Sequence, residues 1–247
     1  MGFVLAVVLL QPACVPDAAA LEQQAIARAR VLDVDGAVAL LDRAAATGVG
    51  CGRAVLAATY LRGLRAARDA YREGGSEPSL APARNARLSL AAAARQGSLV
   101  ADVGQYVLFA AAAAAQSERD DLATFLDHAL QLERRLLEAG DGPLLPVTAH
   151  EAAGDLWLQV HRFDSARDAY ARAAALLGPT PRTTVGLARA AAGLKDVEGA
   201  CDAYRSAIGL LEKAGADRPE RREADRYVAD TCRAPDPTSG VQAPARR

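Results

Sequence analysis

The stretch FDSARDAYARAAALL, residues 163–177, returns 34 positions later as VEGACDAYRSAIGLL, residues 197–211. In this register Ala166 falls on Ala200, Asp168 on Asp202, Ala169 on Ala203, Tyr170 on Tyr204 and Ala173 on Ala207, with Leu176 and Leu177 on Leu210 and Leu211. Alanine matches carry little weight in a chain so rich in alanine; the Tyr, Asp and Leu-Leu coincidences, with Phe163 over Val197, carry the argument. Each copy follows another helical segment, 148–160 and 183–194, so residues 146–211 hold two helix–turn–helix units. Ala166 and Ala173, like Ala200 and Ala207, lie on one helix face with a tyrosine between them. Small residues let the first helix of a unit approach, and the ring fills the space beside it. One such hairpin cannot cover its own apolar stripe, so neighbouring hairpins must stack.

Gly154, Phe163, Ala166, Tyr170, Ala173 and Pro179 in the first unit, and Leu187, Ala188, Val197, Ala200, Tyr204 and Ala207 in the second, resemble the tetratricopeptide repeat, whose period is also 34. The sequence departs from that pattern where Ala191 stands opposite Trp157, where Ala188 replaces the usual glycine, and where no proline closes the second unit. The resemblance implies an all-α fold of antiparallel helix pairs stacked as an α-solenoid. Upstream, Val34-Asp35-Gly36-Ala37 followed by Ala44 repeats Val197-Glu198-Gly199-Ala200 followed by Ala207, but it lies 129 residues before Phe163, which is no multiple of the period. A weaker resemblance links residues 56–63 and 91–97 to the two halves of a sel-one-like repeat split by an insertion.

Composition agrees with a helical chain. Of 247 residues, 51% are hydrophobic, enough to bury a sizeable core, and after residue 10 there are no alternating β-branched runs. Basic residues number 29 against 30 acidic and aromatics are 4%, which gives no footprint for nucleic acid.

Residues 3–10, FVLAVVLL, are too short to span a bilayer and have the length of a signal-peptide core. Gln11-Pro12-Ala13 before Cys14 resembles a bacterial lipoprotein signal, which makes Cys14 a candidate for lipidation; Ala18 and Ala20 fit ordinary cleavage after residue 20. The structural alternative is that the run caps the first helix pair. Export, periplasmic or envelope-anchored, is the leading expectation and the cytoplasm the alternative. The only membrane attachment expected is such an N-terminal anchor.

The remaining chain reads as helices over 18–30, from Val34, and over 53–72, 81–96, 100–116 and 120–138, with breaks at residues 73–78 and 140–143. The expected divisions are a signal over 1–20, an irregular helical-repeat region over 21–139, repeats with a capping helix over 146–232 and a disordered tail over 233–247. The capping helix opens with Asp217 as cap and Glu220 three residues on, and its apolar stripe is Ala224, Tyr227, Val228 and Thr231. The glycines of residues 48–52 lack both nucleotide-binding spacings and read as a turn.

Cys201 and Cys232 are symmetric about a turn at Gly215-Ala216, so an antiparallel hairpin brings them together as a candidate disulfide; Cys14 and Cys51 have the same symmetry about Leu32. Neither cysteines nor histidines show a metal-ligand spacing, and no cofactor is expected. His150-Glu151 begins like a zinc-protease helix, but Gly154 occupies the place of the second ligand. The paired carboxylates Asp120-Asp121 and Asp33-x-Asp35 fall at a helix start and a turn.

The expected function is therefore non-catalytic: a helical-repeat protein that binds a protein or peptide in a groove lined by the first helices. The alternatives are a structural envelope lipoprotein without a discrete ligand and a cytosolic scaffold. Groove candidates are Thr148, Glu151, Asp155, Leu158 and Gln159 in one unit, with Arg182, Val185, Arg189 and Ala192 in the next. Family members that grip a carboxylate tail carry basic or amide side chains at such positions. Here Glu151 and Asp155 are acidic, which points to a partner with a basic or mixed surface.

Overall fold

Six turns between successive helices share one backbone device. A residue in the left-handed region, Leu32, Gly74, Gly97, Ser117, His161 or Lys195, is followed by a residue whose N–H reaches back to a carbonyl five positions earlier. Those bonds are Asp33 to Arg28, Gly75 to Ala70, Ser98 to Ala93, Glu118 to Ala113, Arg162 to Trp157 and Asp196 to Ala191, at 2.8 to 3.2 Å. The bond closes the preceding helix by satisfying one of its orphan carbonyls. Asp33, Ser98 and Asp196 then accept from the backbone three residues on and open the next helix. Stop and start signals are thus packed into about three residues, and consecutive helices must fold back as hairpins.

The computed structural model describes residues 16–47, 52–140, 145–215 and 218–232. These form α1 (Pro16–Arg30), α2 (Val34–Ala46), α3 (Gly52–Arg72), α4 (Glu77–Arg95), α5 (Leu99–Gln116), α6 (Arg119–Glu138), α7 (Ala149–Gln159), α8 (Phe163–Leu177), α9 (Pro181–Gly193), α10 (Val197–Lys213) and α11 (Pro219–Thr231). The described residues are helical throughout, without a strand. The N-terminal run, Cys14, Cys51, most of the glycine cluster, Asp217 and the C-terminal tail lie outside the described residues.

Neighbouring helices pack in pairs, and α3, α5, α7 and α9 also meet in succession. Each of α4, α6 and α8 touches the two members of that row that flank it in sequence. α5 has the length and hydropathy to cross a membrane, yet it is the centre of this packing, flanked by α3, α4, α6 and α7. The break at residues 140–143 does not interrupt the core, because Leu145, Val147, Ala149 and Ala152 join the same apolar cluster as Leu61, Leu90 and Leu108.

Two expectations are corrected. α4 begins at Glu77 and not at residue 81, because Ser76 caps it and Pro78 sits in the first turn, where a missing N–H costs nothing; Pro82 is carried inside the helix. α11 is preceded by Arg218, which makes no side-chain cap, and Glu220 is the second helical residue, so the capping-box geometry does not form there.

The repeated tyrosines are buried. The ring of Tyr170 in α8 lies against Gly154 of α7 and Gly186 of α9, where an added β-carbon would meet it, and it packs with Ala166 and Ala190. Tyr204 in α10 packs with Ala188 of α9 and Ala224 of α11. Ala190 and Ala224 are themselves 34 residues apart, so α11 receives Tyr204 as α9 receives Tyr170.

Candidate binding groove

α2, α3, α7, α9 and the residues opening α11 surround a cavity of about 630 Å³. One side is the arginine stripe Arg65, Arg68 and Arg72 of α3 with Tyr71; another is Asp155, Leu158 and Gln159 of α7; Arg182 and Arg189 come from α9 and Arg218 from the turn before α11. The tip of the first hairpin, Leu32 to Asp35, closes the ring.

That closure is specific. Arg182 Nε donates to the carbonyl of Ala29 at 3.1 Å, at the C-terminal end of α1, where a helix carries partial negative charge. Leu32 packs on Val185, Ala207 and Leu211. Asp33 accepts from Gly36 N–H and pairs with Arg28 at 3.1 Å and Arg218 at 2.6 Å. The first helix pair is thereby clasped to the last.

Of the expected groove residues, Asp155, Leu158, Gln159, Arg182 and Arg189 line this cavity. Thr148, Glu151 and Val185 do not face it, and this is a correction. Thr148 and Glu151 form a reciprocal capping box: Glu151 N–H donates to Thr148 Oγ1 at 3.1 Å and Thr148 N–H to Glu151 Oε2 at 2.9 Å. Glu133 of α6 supplies the rest, accepting from Ala149 N–H at 2.7 Å and His150 N–H at 3.3 Å, with His150 Nδ1 at 2.7 Å. The start of α7 is therefore roofed by α6, and Glu151 is fully buried. Val185 is buried against α10, and Ala192 is half-buried away from the cavity.

Electrostatics follow from this burial. Desolvation raises the pKa of Glu151, with Arg182 and the Thr148 N–H pulling it back down. Arg182 is buried too; burial lowers its pKa, but Asp155 and then Glu151 outweigh that and hold it charged. Asp155 receives Arg182 Nη1 at 2.7 Å and the Tyr170 hydroxyl at 2.5 Å, with Arg68 at 3.8 Å. Next along the 34-residue ladder, Arg189 meets Glu223 of α11 at 2.5 Å, and Tyr204 donates to the same carboxylate at 2.8 Å. Burial raises the Glu223 pKa, but Arg189 and Tyr204 bring the net below the usual carboxylate value. Cys201 and Cys232 are joined by a disulfide, Cα atoms 5.7 Å apart, which ties the end of α11 to the start of α10.

Four participants are barely signalled by the sequence. Glu133 stands in the apolar stripe Leu126, Ala129, Leu136 of α6, and a carboxylate in such a stripe is a readable sign of a buried capping role. Arg68 and Arg72 sit in a helix whose repeat register is irregular, and Leu32 is one of two apolar residues, with Val31, in a short turn. No family model, curated protein or solved structure matches the chain.

Proposed function

We propose that this chain is a non-catalytic helical-repeat protein of the tetratricopeptide type that holds a peptide segment of a protein partner in the cavity between α3, α7 and α9. The observation that carries the reading is the nesting of the tyrosines. Each places its ring between its own hairpin and the first helix of the next, which supports stacking of successive pairs at a repeated offset around a concave surface. Several polar groups on that surface are held in ion pairs with one another, while the Gln159 amide N–H has no acceptor among the described residues. A disulfide accords with an oxidising compartment, and together with the apolar run at residues 3–10 it supports a place at the cell envelope.

The test is panning of a displayed peptide library against the protein and against a variant with the cavity filled, Leu158→Trp with Arg65→Trp, after circular dichroism has shown both folded. Peptides retained by the parent and lost from the filled variant support the reading. Selection of the same peptides by both, or of none by either, overturns it.

A further inference from the structure

We propose that the end of this cavity bounded by Arg68 and Arg72 of α3 and Gln159 of α7 receives the carboxylates of an acidic peptide segment. The inference rests on the groove reading above and gives its ligand a charge.

Three observations converge. First, the acidic character expected of the groove is consumed within the protein. Glu151 is buried in the capping box, and Asp155 is held by Arg182 and Tyr170, with Arg68 only third in line. Second, the exposed face of α3 has more guanidinium than carboxylate: Arg65 pairs with Asp35 of α2, and Asp69 is shared between Arg65 at 3.8 Å and Arg72 at 3.4 Å, so Arg72 has only a share of one carboxylate. Third, the amide Nε2 of Gln159 is buried without an acceptor. An N–H removed from water and left unpaired is costly, and it is satisfied when a ligand brings an acceptor.

The register of the two helices puts these groups at one level. Arg68 faces Asp155, and the Tyr71 hydroxyl donates to the Gln159 carbonyl at 2.9 Å. One turn on from Arg68 is Arg72, and one turn on from Asp155 is Gln159, so the second arginine comes opposite an amide where the first met a carboxylate. Spare N–H groups of Arg72 lie at this end, where the neighbouring carboxylates Asp69 and Asp155 are already paired; the lining carboxylate with no ion pair among the described residues, Glu220, belongs to α11. A carboxylate accepts in a fork from a guanidinium and keeps lone pairs for an amide. A basic segment would meet the arginine stripe with every nearby acid already engaged, which reverses the basic or mixed partner expected from Glu151 and Asp155.

The experiment is fluorescence anisotropy with labelled oligoglutamate, oligolysine and oligoserine peptides and a single-stranded oligonucleotide competitor, on the disulfide-bonded protein. Oligoglutamate is expected to bind, and to weaken as salt is added. Arg68→Gln with Arg72→Gln should weaken it roughly tenfold or more, and Gln159→Leu roughly tenfold, the scale of hydrogen bonds to a charged group. Arg167→Glu, on the exposed side of α8, should leave it unchanged. Preference for oligolysine or oligoserine, or displacement by the oligonucleotide at equal charge, overturns the acidic assignment while the groove reading stands on the library. Absence of any peptide binding overturns the assignment as well, and panning then decides the groove reading separately.

Discussion

The ring of Tyr170 in α8 occupies the space that a β-carbon on Gly186 of α9 would need, and the same ring lies 2.7 Å from the place of a β-carbon on Gly154. The tyrosine is fully buried, and its hydroxyl pKa is raised well above the usual value by burial, then by Asp155, whose carboxylate it donates to. Gly186→Ala should therefore destabilise the protein by about 1 to 3 kcal/mol, since displacing a packed ring outweighs the gain in helix propensity. Gly209→Ala in α10, where an added β-carbon meets nothing within 4 Å, should instead stabilise by about 0.5 to 1 kcal/mol. Urea denaturation of both variants gives the signs; a stabilising Gly186→Ala would remove the tyrosine nesting from the account.

This contrast marks what the sequence reveals. Tyr170, Tyr204 and the alanines beside them announce themselves because packing in a repeated hairpin imposes one spacing twice. The second helices of the two units begin at Phe163 and Val197 as the sequence predicts, because a short turn fixes where each must start. Glu151 misleads: helix periodicity says which residues share a face, but not whether a third element, here α6 with Glu133, covers it. Arg182 bonding to Ala29, 153 residues away, leaves no periodic trace at all. Contacts between distant parts of a chain are dictated by the final curvature, which no local pattern states.

The clasp between the first and last helix pairs should be the part of the ring that opens first. Leu32 is held at φ 66°, a conformation that costs a bulky residue about 1 kcal/mol or more, by its packing on Val185, Ala207 and Leu211. Leu32→Gly removes that strain and the packing together, so global stability should change by less than about 1.5 kcal/mol. Shape is the sharper readout. Small-angle scattering should show a larger radius of gyration, and amide exchange should quicken at residues 29–34 and 181–186. Unchanged exchange there would show that the ring is held elsewhere.

Arg182 tests the buried charge at the centre of that clasp. Arg182→Met leaves Asp155 without its closest cation and the Ala29 carbonyl with only the Leu32 N–H as donor, and should cost about 3 to 5 kcal/mol. Thermal melts would check it, and a loss within that of an exposed arginine such as Arg167→Met would contradict the burial described.

Glu151 should impose an unusual pH dependence. Its folded pKa is raised, by burial first, above the ordinary 4.5, so the folded state holds this proton more tightly than the unfolded chain does. Its contribution is then greatest below 4.5 and is lost as pH rises through the folded value. Glu151→Gln and Glu151→Ala both remove the titrating carboxyl and with it this part of the dependence; glutamine keeps an oxygen for the Thr148 N–H, whereas alanine should lie about 1 kcal/mol lower than glutamine at every pH for want of the capping box. Urea midpoints over about pH 4 to 7 check both points: the two variants should share one altered slope, with the alanine line offset below the glutamine line.

Anchoring of α11 combines a covalent and an ionic hold, and the two should fail under different conditions. Closing the loop between Cys201 and Cys232, 31 residues apart, stabilises by about 3 to 4 kcal/mol on chain-entropy grounds. Glu223 has a folded pKa below its ordinary 4.5, because Arg189 and Tyr204 outweigh burial, so its contribution is present above that value and is lost as pH falls through the folded one. With Cys201→Ser and Cys232→Ser, α11 keeps Ala224 in its socket and the Arg189–Glu223 pair, and should stay docked at neutral pH while the melting temperature drops. Acidification should then release it, seen as rapid amide exchange over residues 219–231 that the disulfide-bonded protein does not show. If the double variant exchanges α11 freely at neutral pH, the ionic and apolar contacts are too weak to hold it, and the helix is kept in place by the sulfur bond alone.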